Sequence, residues 1–147
     1  MIYQEVYGNL FDYCGKAYLV HCISADFALG KGIAREFDSR FNMKAELNKL
    51  CPNYLSYYKI NNIQGDVIFV GSIGNLVTKE RYFHKPTYES LGKALTKLSN
   101  ITREHNLRNI AMPLIGCGLD RLEWSKVSEL IKKVFSDIDV NIIVVKR

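Results

Sequence analysis

The chain has 147 residues, 48% of them hydrophobic, and a formal net charge of +5. This length fits one domain, residues 1–147, and the hydrophobic fraction is high enough for a sizeable core, so the composition excludes an intrinsically disordered chain. The sequence has no apolar run long enough to cross a membrane and no signal peptide, and it therefore predicts a soluble protein of the cytoplasm, or of the nucleus in a eukaryote.

Six segments with the pattern of β-strands are distributed along the chain. Residues 17–23 and 109–112 are nearly continuous apolar runs, which is typical of strands covered on both faces. Two further runs, separated by Gly71, predict neighbouring strands of a meander. The predicted strands, in chain order, are 2–6, 17–23, 67–70, 73–77, 109–112 and 139–145.

Helical patterns lie between these strands. One follows Gly30–Gly32, a short one spans 45–50, and a long one begins after the predicted N-cap Thr87. A last helix follows Asp120, and the stretch 52–65 is polar, rich in tyrosine and contains turn signals. Alternating strands and helices predict an α/β domain with a mixed, mostly parallel sheet flanked by helices on both faces.

The segment from Pro113 to Trp124 carries the main functional signal. Gly116 and Gly118 lie between a strand and a helix, where main-chain N–H groups and the helix N-terminus converge in the manner of a phosphate site. An ordinary strand-to-helix turn has the same pattern, since a single Gly-x-Gly is weakly specific. Asp120 also has two interpretations: it precedes Glu123 at the spacing of a capping box, or its carboxylate takes part in chemistry.

Polar residues follow several of the predicted strands. Asn9, Ser24, Lys79 and Asp120 each come shortly after a strand, and a second strand–glycine–helix junction follows Ser24. Because ligands of open α/β sheets bind outside the carboxyl ends of the strands, we expect these four residues near one crevice.

Six segments in order resemble the macro domain family, and they cover nearly the whole chain. The combination of His84–Tyr88 (HKPTY) with Gly116–Asp120 (GCGLD) is the most specific, and it resembles the branch of terminal ADP-ribose protein glycohydrolases. The segments are Gly8–Phe11, His21–Ser24, Gly30–Ala34, Leu76–Lys79, His84–Tyr88 and Pro113–Leu122.

The resemblance implies a macro domain that binds ADP-ribose and releases it from acidic side chains of modified proteins. It implies Lys79 and Asp120 as the catalytic pair, and neither a cofactor nor a metal. It also implies an adenosine end near Asn9 and Leu10, with Ser24 on the facing loop. The remaining expected substrate-binding residues are Gly32, Leu114, Ile115, Gly116, Cys117, Gly118 and Leu119.

The chain departs from the family pattern at three positions. Asn9 stands where an aspartate is usual, so the contact with the adenine amino group is expected to lose its charge assistance. Leu114 stands where a relative carries a basic residue, which removes one phosphate contact. Lys31 stands where a small residue is common, and it is a candidate for a compensating phosphate contact.

The expected chemistry uses a lysine adduct. A neutral Lys79 amine attacks the distal ribose in its open-chain carbonyl form, while Asp120 accepts a proton and promotes ring opening. Without the resemblance, Lys79 would be interpreted as a solvated loop lysine. The alternatives are an ADP-ribose reader without turnover and a hydrolase of O-acetyl-ADP-ribose or of ADP-ribosylated nucleic acid. The expected partners are ADP-ribosylated proteins, with a weak nucleic-acid contact permitted by the charge, and the expected state is a monomer.

Several other reactive residues are interpreted as structural. His21 lies in an apolar strand and is expected to be a core histidine, and His84 precedes a loop-to-helix boundary. Cys117 fits a phosphate cradle better than a nucleophile elbow, so a pairing with His21 is not expected. The cysteines (14, 22, 51 and 117) have no metal-ligand spacing and are expected to be reduced thiols. Trp124 and the tyrosines near 54–58 are expected to contribute packing.

Overall fold

The computed structural model describes all 147 residues and contains six strands, five α-helices and one short 3-10 helix. The strands are β1 (Ile2–Tyr7), β2 (Tyr18–Ser24), β3 (Asp66–Val70), β4 (Ile73–Lys79), β5 (Asn109–Met112) and β6 (Asn141–Lys146). The α-helices are α1 (Gly32–Phe41), α2 (Met43–Leu50), α3 (Tyr54–Ile60), α4 (Tyr88–His105) and α5 (Trp124–Phe135), and the 3-10 helix is Leu10–Tyr13.

The strands form one six-stranded sheet in the order β1-β6-β5-β2-β4-β3. Every neighbouring pair is parallel except β3 and β4, which form an antiparallel hairpin at one edge. The predicted mixed, mostly parallel sheet is therefore confirmed. Because β2, β4 and β5 run in the same direction, their carboxyl ends lie at one edge of the sheet, where the candidate site is found.

A hydrophobic core lies on each face of the sheet, as predicted. One core packs the sheet against α1, α2 and α3 through residues such as Phe37, Leu47 and Tyr58. The other packs it against α4 and α5, where Leu95, Ile131 and Phe135 are completely buried. None of the helices is both long and apolar enough to span a membrane.

The structure differs from the predicted helices at the start of α2, which begins at Met43 and not at residue 45, at the start of α5, and in one additional helix. The capping-box interpretation of Asp120 is wrong, because α5 begins later, with Glu123 as its N-cap and no side-chain cap bond. The helix α3 lies inside the polar stretch that was not predicted to be helical. It forms because Tyr54 and Tyr58, one turn apart, both reach the core. The predicted N-cap Thr87 is confirmed, and it exchanges hydrogen bonds with Ser90.

Candidate active site

Two strand ends are held side by side at the carboxyl edge of the sheet. Ser24 is the last residue of β2 and Lys79 is the last residue of β4, and the pairing register shifts between Ile23 and Ser24. Beyond the strands, the Ala25 N–H donates to the Lys79 carbonyl at 2.9 Å. The register shift and this additional hydrogen bond fix the position of Lys79 at the point where β4 leaves the sheet.

Lys79 and Asp120 come together although 41 positions separate them. Lys79 Nζ lies 2.6 Å from Asp120 Oδ1, and the two side chains are only 15% and 17% exposed. Asp120 is carried by the loop between β5 and α5, so the contact joins this loop to the end of β4 at the carboxyl edge of the sheet. A charge-assisted hydrogen bond this short gives the pair a defined geometry and a direct path for a proton.

The loop after β5 has the geometry of an anion cradle. Gly116 has φ of +74°, and the Leu122 N–H closes the loop by donating to the Gly116 carbonyl at 2.8 Å. The main-chain N–H groups of Gly118, Leu119 and Asp120 donate to no acceptor within the protein. Successive unpaired N–H groups in such a loop form a concavity that binds phosphate.

Two side chains of the neighbouring segment hold this loop in place. Lys85 Nζ donates to the Leu119 carbonyl at 2.9 Å, and the hydroxyl of Tyr88 accepts from the Glu123 N–H at 3.0 Å. The HKPTY segment therefore restrains the glycine loop at its middle and at its junction with α5. This gives a physical role to the segment that carries the most specific part of the resemblance.

The glycine loop faces the N-terminus of α1. A Cβ built on Gly32, whose φ is +59°, would meet Leu119 Cδ1 at 3.5 Å. The N-cap of α1, Lys31, makes no side-chain cap bond, so this helix N-terminus also presents unoccupied N–H groups. Gly32 and Leu119 thus face each other across the crevice between the glycine loop and the N-terminus of α1.

The residues expected to bind substrate differ in solvent exposure. Leu119 is 60% exposed, whereas the side chains of Leu10 and Ile115 are only 1% and 2% exposed, which leaves their main chains as the available contacts. Asn9 is exposed, and its Oδ1 accepts from the Phe11 N–H at 3.0 Å as the cap of the 3-10 helix. The amide nitrogen of Asn9 is the atom that remains free for a ligand.

Asp26 is a site residue that the sequence interpretation missed. Its Oδ1 accepts from the Ser24 hydroxyl at 2.5 Å and the Ala28 N–H at 3.3 Å, and its Oδ2 accepts from the Tyr82 N–H at 3.0 Å. Asp26 thereby ties the loop after β2 to the loop that follows Lys79. The Ser-x-Asp spacing is a known turn signal, and it was the available hint in the sequence.

Neither thiol beside the site has the character of a nucleophile. Burial raises the pKa of the Cys117 thiol to about 11. Burial, together with the Asp120 carboxylate, raises the pKa of Cys22 to about 12. Since the thiolate is the reactive form, both groups are protonated and inert near neutral pH. All four cysteines are free, as the sequence predicted.

His21 is a core histidine, as expected. It is completely buried, its ring stacks on Phe37 with centroids 3.8 Å apart, and Nε2 lies 2.6 Å from Asn75 Oδ1. Burial lowers the pKa of His21 to about 4, so the ring is neutral. It lies in the core that packs on α1, whereas Cys117 packs against the other core, which excludes a Cys117–His21 pair.

Comparison with known proteins agrees with this geometry. The family model described as "Macro domain" matches residues 20–131. The chain is 39% identical over 143 residues to the ADP-ribose glycohydrolase OARD1 of Bos taurus, covering 95% of this chain and 88% of that protein. It is 38% identical, with the same coverage, to the human protein of that name.

Solved structures show the same fold. The macrodomain of Thermus aquaticus DarG is 25% identical, with a TM-score of 0.71 and coverage of 99% of this chain and 98% of that one. Thermosipho africanus DarTG in complex with ADP-ribose has a TM-score of 0.75 at 16% identity, covering all of this chain and 42% of that one, which is a likeness of fold alone. The family model spans most of the strands and helices described above, and the chain therefore belongs to the macro domain family.

Proposed function

We propose that this protein is an ADP-ribose glycohydrolase that releases mono-ADP-ribose from glutamate and aspartate side chains of modified proteins, with Lys79 and Asp120 as its catalytic residues. The observation that carries the proposal is the 2.6 Å contact between Lys79 Nζ and Asp120 Oδ1 beside the glycine loop. The names of the two relatives that match nearly the whole chain support the hydrolase activity.

ADP-ribose fits the crevice by its charge distribution. The diphosphate would accept hydrogen bonds from the unpaired N–H groups of Gly118 and Leu119, with the N-terminus of α1 opposite them. The adenosine then extends toward Asn9 and the distal ribose toward Lys79. This arrangement places the anomeric carbon of the distal ribose beside the ion pair of Lys79 and Asp120.

The reaction begins with a proton transfer along the short hydrogen bond, from the Lys79 ammonium to Asp120. The neutral amine attacks the anomeric carbon, the bond from that carbon to the ester oxygen breaks, and the acceptor side chain leaves as a carboxylate. The adduct nitrogen is then a secondary ammonium. Asp120 gives its proton to the ring oxygen and takes one from this nitrogen, so the bond from the anomeric carbon to the ring oxygen breaks and the ribose opens to a protonated imine on Lys79. Water adds to the imine carbon, the carbon–nitrogen bond breaks, and free Lys79 and ADP-ribose are regenerated.

The two aspartates beside Lys79 are already engaged by protein groups, which supports an ester as the substrate. Hydrolases that cleave glycosidic bonds to poor leaving groups use two carboxyl groups, one of them an acid that protonates the leaving atom. Here Asp120 is engaged with Lys79, and both oxygens of Asp26 accept protein hydrogen bonds. A carboxylate leaves without prior protonation, so a single aspartate suffices for an ester of glutamate or aspartate.

The proposal is tested by measuring release of ADP-ribose from a glutamate-modified protein by wild type, Lys79→Ala and Asp120→Ala. We expect release by wild type and a loss of at least about 100-fold in both variants, the usual contribution of a catalytic acid–base group. Circular dichroism and ADP-ribose binding by calorimetry control for folding. Binding by wild type without release would instead identify an ADP-ribose reader, and release only from O-acetyl-ADP-ribose or from modified DNA would reassign the substrate.

A further inference from the structure

A polar groove leads away from the catalytic lysine along the side of α4. It consists of two adjoining cavities of about 310 Å³ each, which share Ile63 and Gln64. The first cavity includes Lys79, and the second extends to Lys97. Gly65 lies so close to the Ser90 carbonyl that no Cβ would fit there, which fixes the loop before β3 against α4 beside the groove. We call this feature the side groove.

The side groove and the ADP-ribose crevice meet at Lys79. Lys79 lines the side groove, whereas Asp120 and the glycine loop do not. Lys79 therefore lies between the crevice proposed for ADP-ribose and a groove that is placed to bind the molecule to which the ADP-ribose is attached. We propose that the side groove binds the polypeptide segment around the ADP-ribosylated residue of the substrate, and that it favours segments with acidic residues. This inference rests on the proposed function.

The length of the side groove suits a short extended peptide. One wall is a stripe of α4 that runs from Thr87 at its N-cap to Lys97. Ten residues at a rise of about 1.5 Å give roughly 15 Å, which is the length of about four or five residues of extended chain. Gln64 and Thr96 offer an amide and a hydroxyl to a peptide main chain.

The charge of the side groove suits acidic side chains. Beyond Lys79, its walls carry Lys85, Lys93 and Lys97 against the carboxylates of Glu80 and Glu89. Lys93 Nζ lies 2.7 Å from Gln64 Oε1 and 3.2 Å from Glu89 Oε1. Lys97 Nζ lies 3.4 Å from Asp66 Oδ1, and the two lysine side chains are about half exposed. Exposed pairs of this kind are weak, so a carboxylate of a bound peptide competes for both lysines.

A nucleic acid fits the same groove less well. Its phosphates would meet Glu80 and Glu89 as well as the lysines, because both carboxylates line the same cavity as Lys79. Its walls also present little aromatic surface for base stacking, since Tyr58 is buried and the imidazole of His84 is the one exposed ring. A peptide with separated carboxylates can place each one against a lysine and avoid the glutamates.

The test compares charge reversals in the side groove with a matched reversal outside it. Lys93→Glu and Lys97→Glu are made in the full chain, with Arg103→Glu as the control. Arg103 is also on α4, pairs with Asp137 at 3.2 Å and has a similar exposure, 53% against 47% for Lys97, but it does not line the groove. Substrates are two glutamate-ADP-ribosylated peptides with acidic or lysine flanks, ADP-ribosylated DNA, and O-acetyl-ADP-ribose, which carries no polypeptide.

We expect the groove variants to raise KM for the acidic peptide about threefold to tenfold, with kcat and ADP-ribose affinity unchanged. Arg103→Glu and the reaction of O-acetyl-ADP-ribose are expected to show no change. If wild type releases ADP-ribose from the acidic peptide and both groove variants have the wild-type KM, the side groove does not bind the polypeptide segment. That result would leave the proposed function intact. A larger effect on the DNA substrate than on the peptide would also overturn the side groove as the site of the polypeptide segment. Absence of release from every peptide by wild type would contradict the proposed function itself.

Discussion

The carboxylate of Asp26 joins the two loops that frame Lys79: its Oδ2 accepts a hydrogen bond from the Tyr82 N–H at 3.0 Å. Its other oxygen is bound by the Ser24 hydroxyl and the Ala28 N–H. Asp26 touches no reacting atom in the proposed reaction. Its position makes it a positioning residue that holds the segment after Lys79 against the segment after β2.

Asp26→Ala is therefore expected to lower kcat about tenfold and to leave ADP-ribose binding within about twofold of wild type, since it loosens the lysine loop more than the glycine loop. The free energy of unfolding should fall by about 1–3 kcal/mol, the usual cost of losing hydrogen bonds to a charged group. Steady-state kinetics and urea denaturation measure the two effects.

The control for this variant is Asp38→Ala. Asp38 lies in α1, and its Oδ1 also accepts from a main-chain N–H, that of Lys44 in α2 at 2.9 Å, but this contact is not part of the loops around Lys79. We expect Asp38→Ala to reduce stability without reducing kcat. An equal loss of kcat in both variants would show that general destabilisation, and not the loop contact, explains the effect.

The two glycines of the cradle are expected to respond differently to alanine. Gly116 has φ of +74°, and a Cβ there would meet Leu122 Cδ1 at 3.0 Å, whereas a Cβ on Gly118 would meet nothing within 4 Å. Gly116→Ala should cost about 1–2 kcal/mol of stability from the left-handed backbone conformation alone, and it should weaken ADP-ribose binding. Gly118→Ala should leave stability nearly unchanged. Thermal denaturation and calorimetry compare them, and equal stability of the two variants would contradict the loop geometry.

His21 makes the stability of the fold depend on pH. Its pKa is about 4 in the folded protein, because burial disfavours the charged ring, and about 6.5 in an unfolded chain. Between these values the unfolded state binds a proton that the folded state does not. The free energy of unfolding therefore falls as the pH is lowered from about 6.5 to about 4, by about 3 kcal/mol from this residue.

Urea midpoints at pH 7 and pH 4.5 measure this dependence in wild type and in His21→Gln. The variant is expected to lose less stability than wild type over the same interval, whatever its absolute stability at pH 7. His105→Gln is the control, because His105 is exposed on α4. A pH dependence that is identical in wild type and His21→Gln would refute the neutral, buried state of this ring.

Cys117 is expected to be dispensable for catalysis, although it lies at the centre of the cradle. Its raised pKa of about 11 leaves almost no thiolate at pH 7. Cys117→Ala should retain at least about half of the wild-type release rate, and iodoacetamide at pH 7 should modify the exposed Cys14 first. A loss comparable to that of Lys79→Ala would reinstate a thiol nucleophile.

The sequence predicted the sheet, its neighbouring helices and the crevice because these depend on local patterns. Apolar runs identify β2 and β5, and the reciprocal bonds of Thr87 and Ser90 follow from the residues at the start of α4. Parallel strands bring their carboxyl ends together, so the expectation that Lys79 and Asp120 are neighbours needed no knowledge of their contacts.

The missed features depend on contacts between distant residues. The helix α3 is stabilised by burial of Tyr54, which stacks on Phe27 from another loop at 5.2 Å between ring centroids. The role of Asp26 depends on Tyr82, 56 positions away. Asp120 has the spacing of a cap, but the later start of α5 and the attraction of Lys79 give its carboxylate a different partner. Local sequence alone contains none of these pairings.

Detection of a covalent adduct on Lys79 distinguishes the proposed lysine chemistry from direct hydrolysis by water. Wild type is mixed with a glutamate-ADP-ribosylated peptide, quenched with borohydride so that an imine is reduced to a stable amine, and digested for mass spectrometry. We expect an ADP-ribose moiety on the peptide that contains Lys79 and none on any peptide of Lys79→Arg. Undiminished release of ADP-ribose by Lys79→Arg, with no adduct in wild type, would contradict the proposed lysine chemistry.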